Sequence, residues 1–345
     1  MEKKQRTEKW MGNRSLFQSV LAGFVLILLA GVGFFFAFRW ISPESSISYL
    51  LRYTSASLGV LALGGTAVVQ YRKQKDSEER VALERDMQFA TRLTKAVEHL
   101  GSDSRAIRNG GLHELLRLAK DSEKDRVPAL EIIVQFISHL QDESEKRSAK
   151  SLFGTFLRRQ KDRWLCNVDF SDADFSDMDL NSANLIGVNL CSANLRSVAL
   201  RGANLTYADL NGADLRRADL HDANLTNANL SEVDLRDALL FYANLYHADL
   251  CGADLRGASP IKADLCGADL RDTNLTNAYL AHANLSDADL RRANLRGANL
   301  TNANLTNANL SDADLTDAKL DGATLDGAIL PQPSIREEDI VDSAN

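Results

Sequence analysis

Three histidines, His99, His113 and His139, are the side chains best suited to hold a metal, and they fall one in each of three stretches with helical apolar spacing. No cysteine joins them and none has the paired spacing of a zinc site, so they read as unrelated surface or packing residues. The four cysteines, Cys166, Cys191, Cys251 and Cys266, raise disulfide or thiolate-ligand chemistry, which depends on how the back of the chain folds. Catalytic motifs are missing: there is no phosphate-binding glycine loop with a lysine, no nucleophile elbow and no paired metal motif. Carboxylates are plentiful, but they recur in regular ladders that single out no pair. We therefore expect no catalytic residues, no cofactor and no metal.

The elements that carry these residues differ sharply along the chain. The 345 residues are 45% hydrophobic and 25% charged, with a net charge of −7. These values exclude a disordered polyampholyte, a collagen-like chain and a disulfide-stapled scaffold. Residues 1–164 hold 27 Lys and Arg against 19 Asp and Glu, whereas residues 165–345 hold 13 against 28. A basic front precedes an acidic back.

The front reads as a membrane hairpin behind a basic tail, 1–14. Residues 15–38 carry no charge over 24 positions and residues 53–71 none over 19. At 1.5 Å per helical residue these reach about 36 and 28 Å, against a hydrocarbon core of about 30 Å. The first run is too long for a signal peptide, and Arg39-Trp40 follows it in place of a cleavage site. Lys3, Lys4, Arg6, Lys9 and Arg14 flank the first span, and Arg72, Lys73 and Lys75 follow the second. Both termini are thus expected on the cytoplasmic side of the membrane.

Residues 72–141 read as a cytoplasmic helical segment. Phe89, Leu93, Ala96 and Leu100 fall at helical spacing and Gly101 ends the helix. Ile107, Leu115, Leu118 and Ala119 form the face of a second helix, in which Gly110-Gly111 suggests a close crossing. Pro128 suits the first turn of a third. Residues 142–164 read as a basic linker.

From Phe170 to Leu330 a five-residue unit repeats 33 times without insertion or deletion. Thirty centres are Leu, two are Phe170 and Phe175, and one is Pro260. Two positions earlier 27 of 33 residues are Ala, and one position earlier Asn and Asp appear 13 times each. In a helix such leucines would spiral round the axis and form no stripe. In a short strand Ala and Leu share one face, and the two polar residues that follow break the alternation. Each unit is therefore a very short strand and a corner, and the units must stack as a solenoid to bury their interior.

Runs such as ANLTNANL and units of the ADLRGADL type resemble the pentapeptide-repeat family. The resemblance covers residues 165–330 and implies a right-handed quadrilateral β-helix with four units per coil, about eight coils long. On that geometry all four cysteines point outward. Cys166 and Cys266 lie five coils apart and Cys191 and Cys251 three, about 24 and 14 Å, too far for a disulfide. The fold class expected is mixed: two transmembrane α-helices and a small α-helical segment, then the β-helix, closed by an acidic tail, 331–345. The helical segment can cover one end of the solenoid and the tail the other.

One stretch departs from the polar exterior. Leu239, Phe241, Tyr242 and Tyr246 stand outside, with Ile261 one coil above Phe241 and Tyr279 two coils above Leu239, all around Pro260. Gathered exposed apolar groups mark a partner surface. The expected function is a non-catalytic, membrane-tethered scaffold presenting a rod to a protein partner, with the lipid bilayer engaged by two spans and no direct contact with nucleic acid. The alternative, which the resemblance suggests, is a DNA mimic that modulates a DNA-binding enzyme such as a type II topoisomerase. The acidity of the rod permits it.

Overall fold

A computed structural model describes residues 46–123, 125–160, 165 and 168–331. The chain divides into two compact units, Met1–Gln88 and Phe89–Asn345. In the first, the described residues form the leading part of one helix, α1 (Ser46–Leu100), whose last turns belong to the second. Among the described residues no helix is long and apolar enough to cross a membrane. The stretch 53–71, expected as a second span, is helical, but Ser55, Ser57, Gly59, Gly64, Gly65 and Gln70 dilute its apolar content, and the span is not supported. The first expected span, the basic tail and the acidic tail beyond residue 331 lie outside the described residues.

In the second unit, the end of α1 packs with α2 (Arg105–Asp121), α3 (Arg126–His139) and α4 (Glu143–Arg158). Leu112, Leu115, Leu118, Leu130 and Ile133 are fully buried between them. Ile107, expected on the buried face of α2, is exposed. Gly111 marks the expected close crossing: a Cβ there would lie 2.7 Å from the Ala96 carbonyl oxygen, so only glycine fits. Its neighbour Gly110 has open space around it.

The stretch expected as a basic linker is largely helical instead. Asp142 caps α4, its Oδ1 accepting the Ser144 and Glu145 N–H groups at 2.8 and 3.0 Å. Ala149, Phe153 and Leu157 recur every four residues and are buried. The intervening charges disguised that stripe, since Lys146 and Lys150 serve as ion-pair partners of the first coil and not as a solvated run.

From residue 169 onward, parallel bridges join residues 20 apart, from Asp169↔Asn189 to Asn309↔Ile329. Twenty residues are four units, so the expected four-unit coil is the observed one. Each side contributes a single bridged residue, which is why the strand is so short. Coils are tied by N–H groups pointing both ways along the axis. Leu205 donates to the Asn224 carbonyl at 2.7 Å, and Asn224 donates back to Ala203 at 2.9 Å. The Ala and centre positions up to Leu310 line an interior that excludes water. At its start, Phe170 and Phe175 pack against Phe153 of α4, with centroids 6.1 and 6.2 Å away. The helix that covers the first coil thus packs its Phe153 ring against both Phe centres. A Cβ on Gly154 would sit 2.8 Å from the Asp179 carbonyl oxygen, so α4 lies directly on the coil.

Corners follow one rule. The residue after the centre and its successor form a turn closed by a bond such as Ala208 N–H to the Leu205 carbonyl at 2.9 Å. The second corner residue is left-handed at every corner from Asp172 to Gly327, with φ between +53° and +71°. None of these residues is Val, Ile or Thr, whose branched side chains tolerate that region worst.

Candidate interaction surface on the solenoid

The residue before each centre stabilises the corner that follows. Its side-chain oxygen accepts the N–H of the residue after the centre, as Asn204 does from Thr206 at 3.2 Å and Asp209 from Asn211 at 3.2 Å. Asn and Asp do this equally well, which explains their equal numbers and removes any need for the acids to be functional. Between Ser171 and Thr316, the corner N–H of every unit but three is held by such an oxygen, in one case from the coil below. The exceptions are Phe241, Ile261 and Ala281, stacked on one corner of three successive coils. Leu239, Ser259 and Tyr279 stand there in place of Asn or Asp.

This is the corner that holds the apolar residues singled out in the sequence. Leu239, Tyr242, Tyr246 and Tyr279 are exposed, with Tyr242 and Tyr279 more than half so at 55% and 51%. Phe241 and Ile261 are half-buried. Leu239, Phe241 and Tyr242 share one corner, Ile261 lies directly above Phe241, and Tyr279 is separated from Leu239 by Ser259; Tyr246 stands one corner further along. Two histidines not singled out in the sequence complete the surface. His221 stacks on Phe241 at 4.6 Å and 10°, with its Nδ1 2.5 Å from Asp219 Oδ1. His247 meets Tyr246 edge-on at 4.1 Å. The 20-residue step from 221 to 241 is the signal that could have found the first. Lys262 donates to the Tyr242 hydroxyl at 3.2 Å and lies over its ring.

Pro260 interrupts the ladder locally: Ser259 and Tyr279 are the one pair in the series of described residues without a bridge. The proline lacks the N–H that every other centre from Phe170 to Leu310 gives to the next coil, yet the neighbouring bonds persist, Leu240 to Ser259 at 3.1 Å and Tyr279 to Ala258 at 2.9 Å.

The charged surface is largely self-satisfied. Arg216, Arg236 and Arg256 stack on successive coils of another corner, each pairing with the Asp two residues before it at 2.5 to 2.6 Å. Arg216 and Arg236 also reach the Asp one coil on, at 3.3 and 3.6 Å. Arg271 and Arg291 repeat the arrangement elsewhere. Beside α4 a cavity of about 350 Å³ is lined by Lys146, Lys150, Arg158, Asp174 and Asp179 among others. Three of its cations pair with the coil: Lys146 and Lys150 both reach Asp174, at 2.8 and 2.9 Å, and Arg158 reaches Asp179 at 2.8 Å. Burial acts to raise the Asp174 carboxyl, but the bonds from Lys146, Ser176 and Lys150 prevail and hold it well below the usual carboxylate range. Cys191, Cys251 and Cys266 are unpaired, and burial pushes the Cys191 thiol up to about 11. Cys166 lies outside the described residues. Among the described residues no cluster of His, Cys, Asp or Glu is arranged to hold a metal.

The stacked four-unit coils define a parallel β-helical solenoid of five-residue repeats. Sequence comparison agrees in register: pentapeptide repeats match in eight copies over residues 165–196, 183–222, 218–257, 261–297 and 293–330. The chain belongs to the pentapeptide repeat family. Among solved structures it is similar to HetL of the cyanobacterium Nostoc sp. strain PCC 7120, a protein involved in regulating heterocyst differentiation. The two are 36% identical over 49% of this chain and 87% of HetL, with a TM-score of 0.37. It is also similar to a pentapeptide repeat protein of the Arabidopsis thaliana thylakoid lumen, 34% identical over 30% of this chain and 69% of that one, TM-score 0.20. QnrB1, a plasmid-mediated fluoroquinolone resistance protein, is 22% identical over 47% and 77%, TM-score 0.24. No curated protein matches the chain.

Proposed function

We propose that this protein is a non-catalytic scaffold, tethered to a membrane, that presents its β-helix to a protein partner through the corner around Phe241. The observation that carries this reading is a coincidence of two departures. Where three successive coils abandon the Asn or Asp of the repeat, exposed apolar side chains replace the polar exterior. Natural surfaces gather such groups where another molecule covers them. The tether rests on the 24 uncharged residues 15–38 and the basic residues before them. Carbonate extraction of isolated membranes tests it: the full chain should stay in the pellet, and release into the supernatant would refute the tether. Replacing Phe241 and Tyr246 by Ser tests the surface by loss of the bound partner.

DNA mimicry is the second reading. An acidic rod supports it, but the arginine ladders count against it, because they interrupt the field a DNA-binding protein would follow.

A further inference from the structure

The corner N–H groups of Phe241, Ile261 and Ala281 have no acceptor among the described residues. At every other corner from Ser171 to Thr316 that acceptor is an Asn or Asp oxygen of the chain itself, and only Asp321 and Asp326 in the last coil, after Lys319 and Thr324, share the lack among the described corners beyond it. The three donors stack on successive coils about 4.8 Å apart, and an unmet backbone donor costs free energy once water is displaced from it. Exposed Leu239 and Tyr279 stand beside them, and Lys262, next to Ile261, adds a positive charge held at the Tyr242 hydroxyl 3.2 Å away.

We infer that this corner receives Asp or Asn side chains of a partner protein, which supply the oxygens that the solenoid omits there, while apolar residues beside them rest on Leu239 and Tyr279. The inference rests on the proposed partner-binding function and gives the partner its chemistry. The solenoid meets the equivalent N–H groups at its regular corners with such side-chain oxygens, so these are the acceptors that its chemistry selects. N–H groups on adjacent coils, about 4.8 Å apart, suit separate oxygens, one to each coil, and Lys262 complements the charge of a carboxylate.

The test is fluorescence anisotropy of the full chain in detergent with two labelled, acetylated peptides, Leu-Asp-Leu-Asp-Leu and its Leu-Ser-Leu-Ser-Leu counterpart. The Asp peptide should bind about tenfold more tightly, the effect of roughly one charge-assisted hydrogen bond. Ser259→Asn supplies the missing acceptor for Ile261, keeps all six apolar residues and restores the repeat, so it should not harm folding. It is expected to weaken the Asp peptide about tenfold, whereas Ser259→Ala leaves it unchanged. No binding of the Asp peptide, equal binding of both peptides, or no effect of Ser259→Asn overturns the inference. If Phe241→Ser abolishes partner capture while Ser259→Asn is silent, this inference fails and the docking surface stands. If Phe241→Ser leaves capture intact as well, both fail.

Discussion

At the scale of single residues the corner decides what a position tolerates. The second corner residue is left-handed throughout, a conformation that costs a side-chain-bearing residue about 1–2 kcal/mol and a branched one most. Asn227→Val should therefore destabilise the protein by about 1–2 kcal/mol, while Asn227→Gly should be close to neutral, as thermal unfolding would show. Asp214→Asn should cost only about 1 kcal/mol by contrast, because the amide oxygen can still accept the Arg216 N–H and the half-buried Arg216 guanidinium keeps Asp234 as a partner. Part of this was legible in the chain. Equal use of Asn and Asp before the centre already showed that charge there is incidental. The reason, an oxygen accepting the next corner's N–H, became visible only with the coil folded. The missing acceptors at Leu239, Ser259 and Tyr279 were written in the repeat as broken positions, but without that bond they had no chemical meaning.

At the scale of elements, α4 is the piece that sequence pattern concealed. The five-residue period is so regular that the side chains facing inward, and hence the solenoid, follow from alternation alone. No such regularity marks 143–158, where lysines alternate with the buried stripe and the whole looks like a solvated connector. Yet Phe153 fills the first coil against Phe170 and Phe175. Phe153→Ala should cost about 3–5 kcal/mol, read by chemical denaturation, and should increase amide exchange first in Phe170 and Phe175. The contact between α4 and the coil is also pH-sensitive. Because the Asp174 carboxyl is held low in the folded state, the unfolded chain takes up that proton first. Its stabilising effect is therefore complete above the ordinary carboxylate pKa of about 4 and is lost as pH falls below it. Unfolding midpoints should drop with acidification below about pH 4, and Asp174→Asn should flatten that dependence while lowering stability at neutral pH.

At the scale of the whole molecule, charge and shape divide the work. Residues 168–331 hold 24 acidic and 12 basic residues, but arginines take up many of the acids in ladders along the coils. Binding governed by the net field would weaken steeply with salt; binding at the Phe241 corner should weaken far less, since apolar contacts and short hydrogen bonds carry it beside the single charge of Lys262. The measurement that tests the account most directly is quantitative cross-linked capture from detergent-solubilised membranes, comparing the native chain with Phe241→Ser/Tyr246→Ser and with charge reversal on the acidic faces. The account predicts a defined protein partner that disappears with the double substitution and survives charge reversal. Recovery of topoisomerase subunits, lost on charge reversal and indifferent to Phe241 and Tyr246, would contradict it.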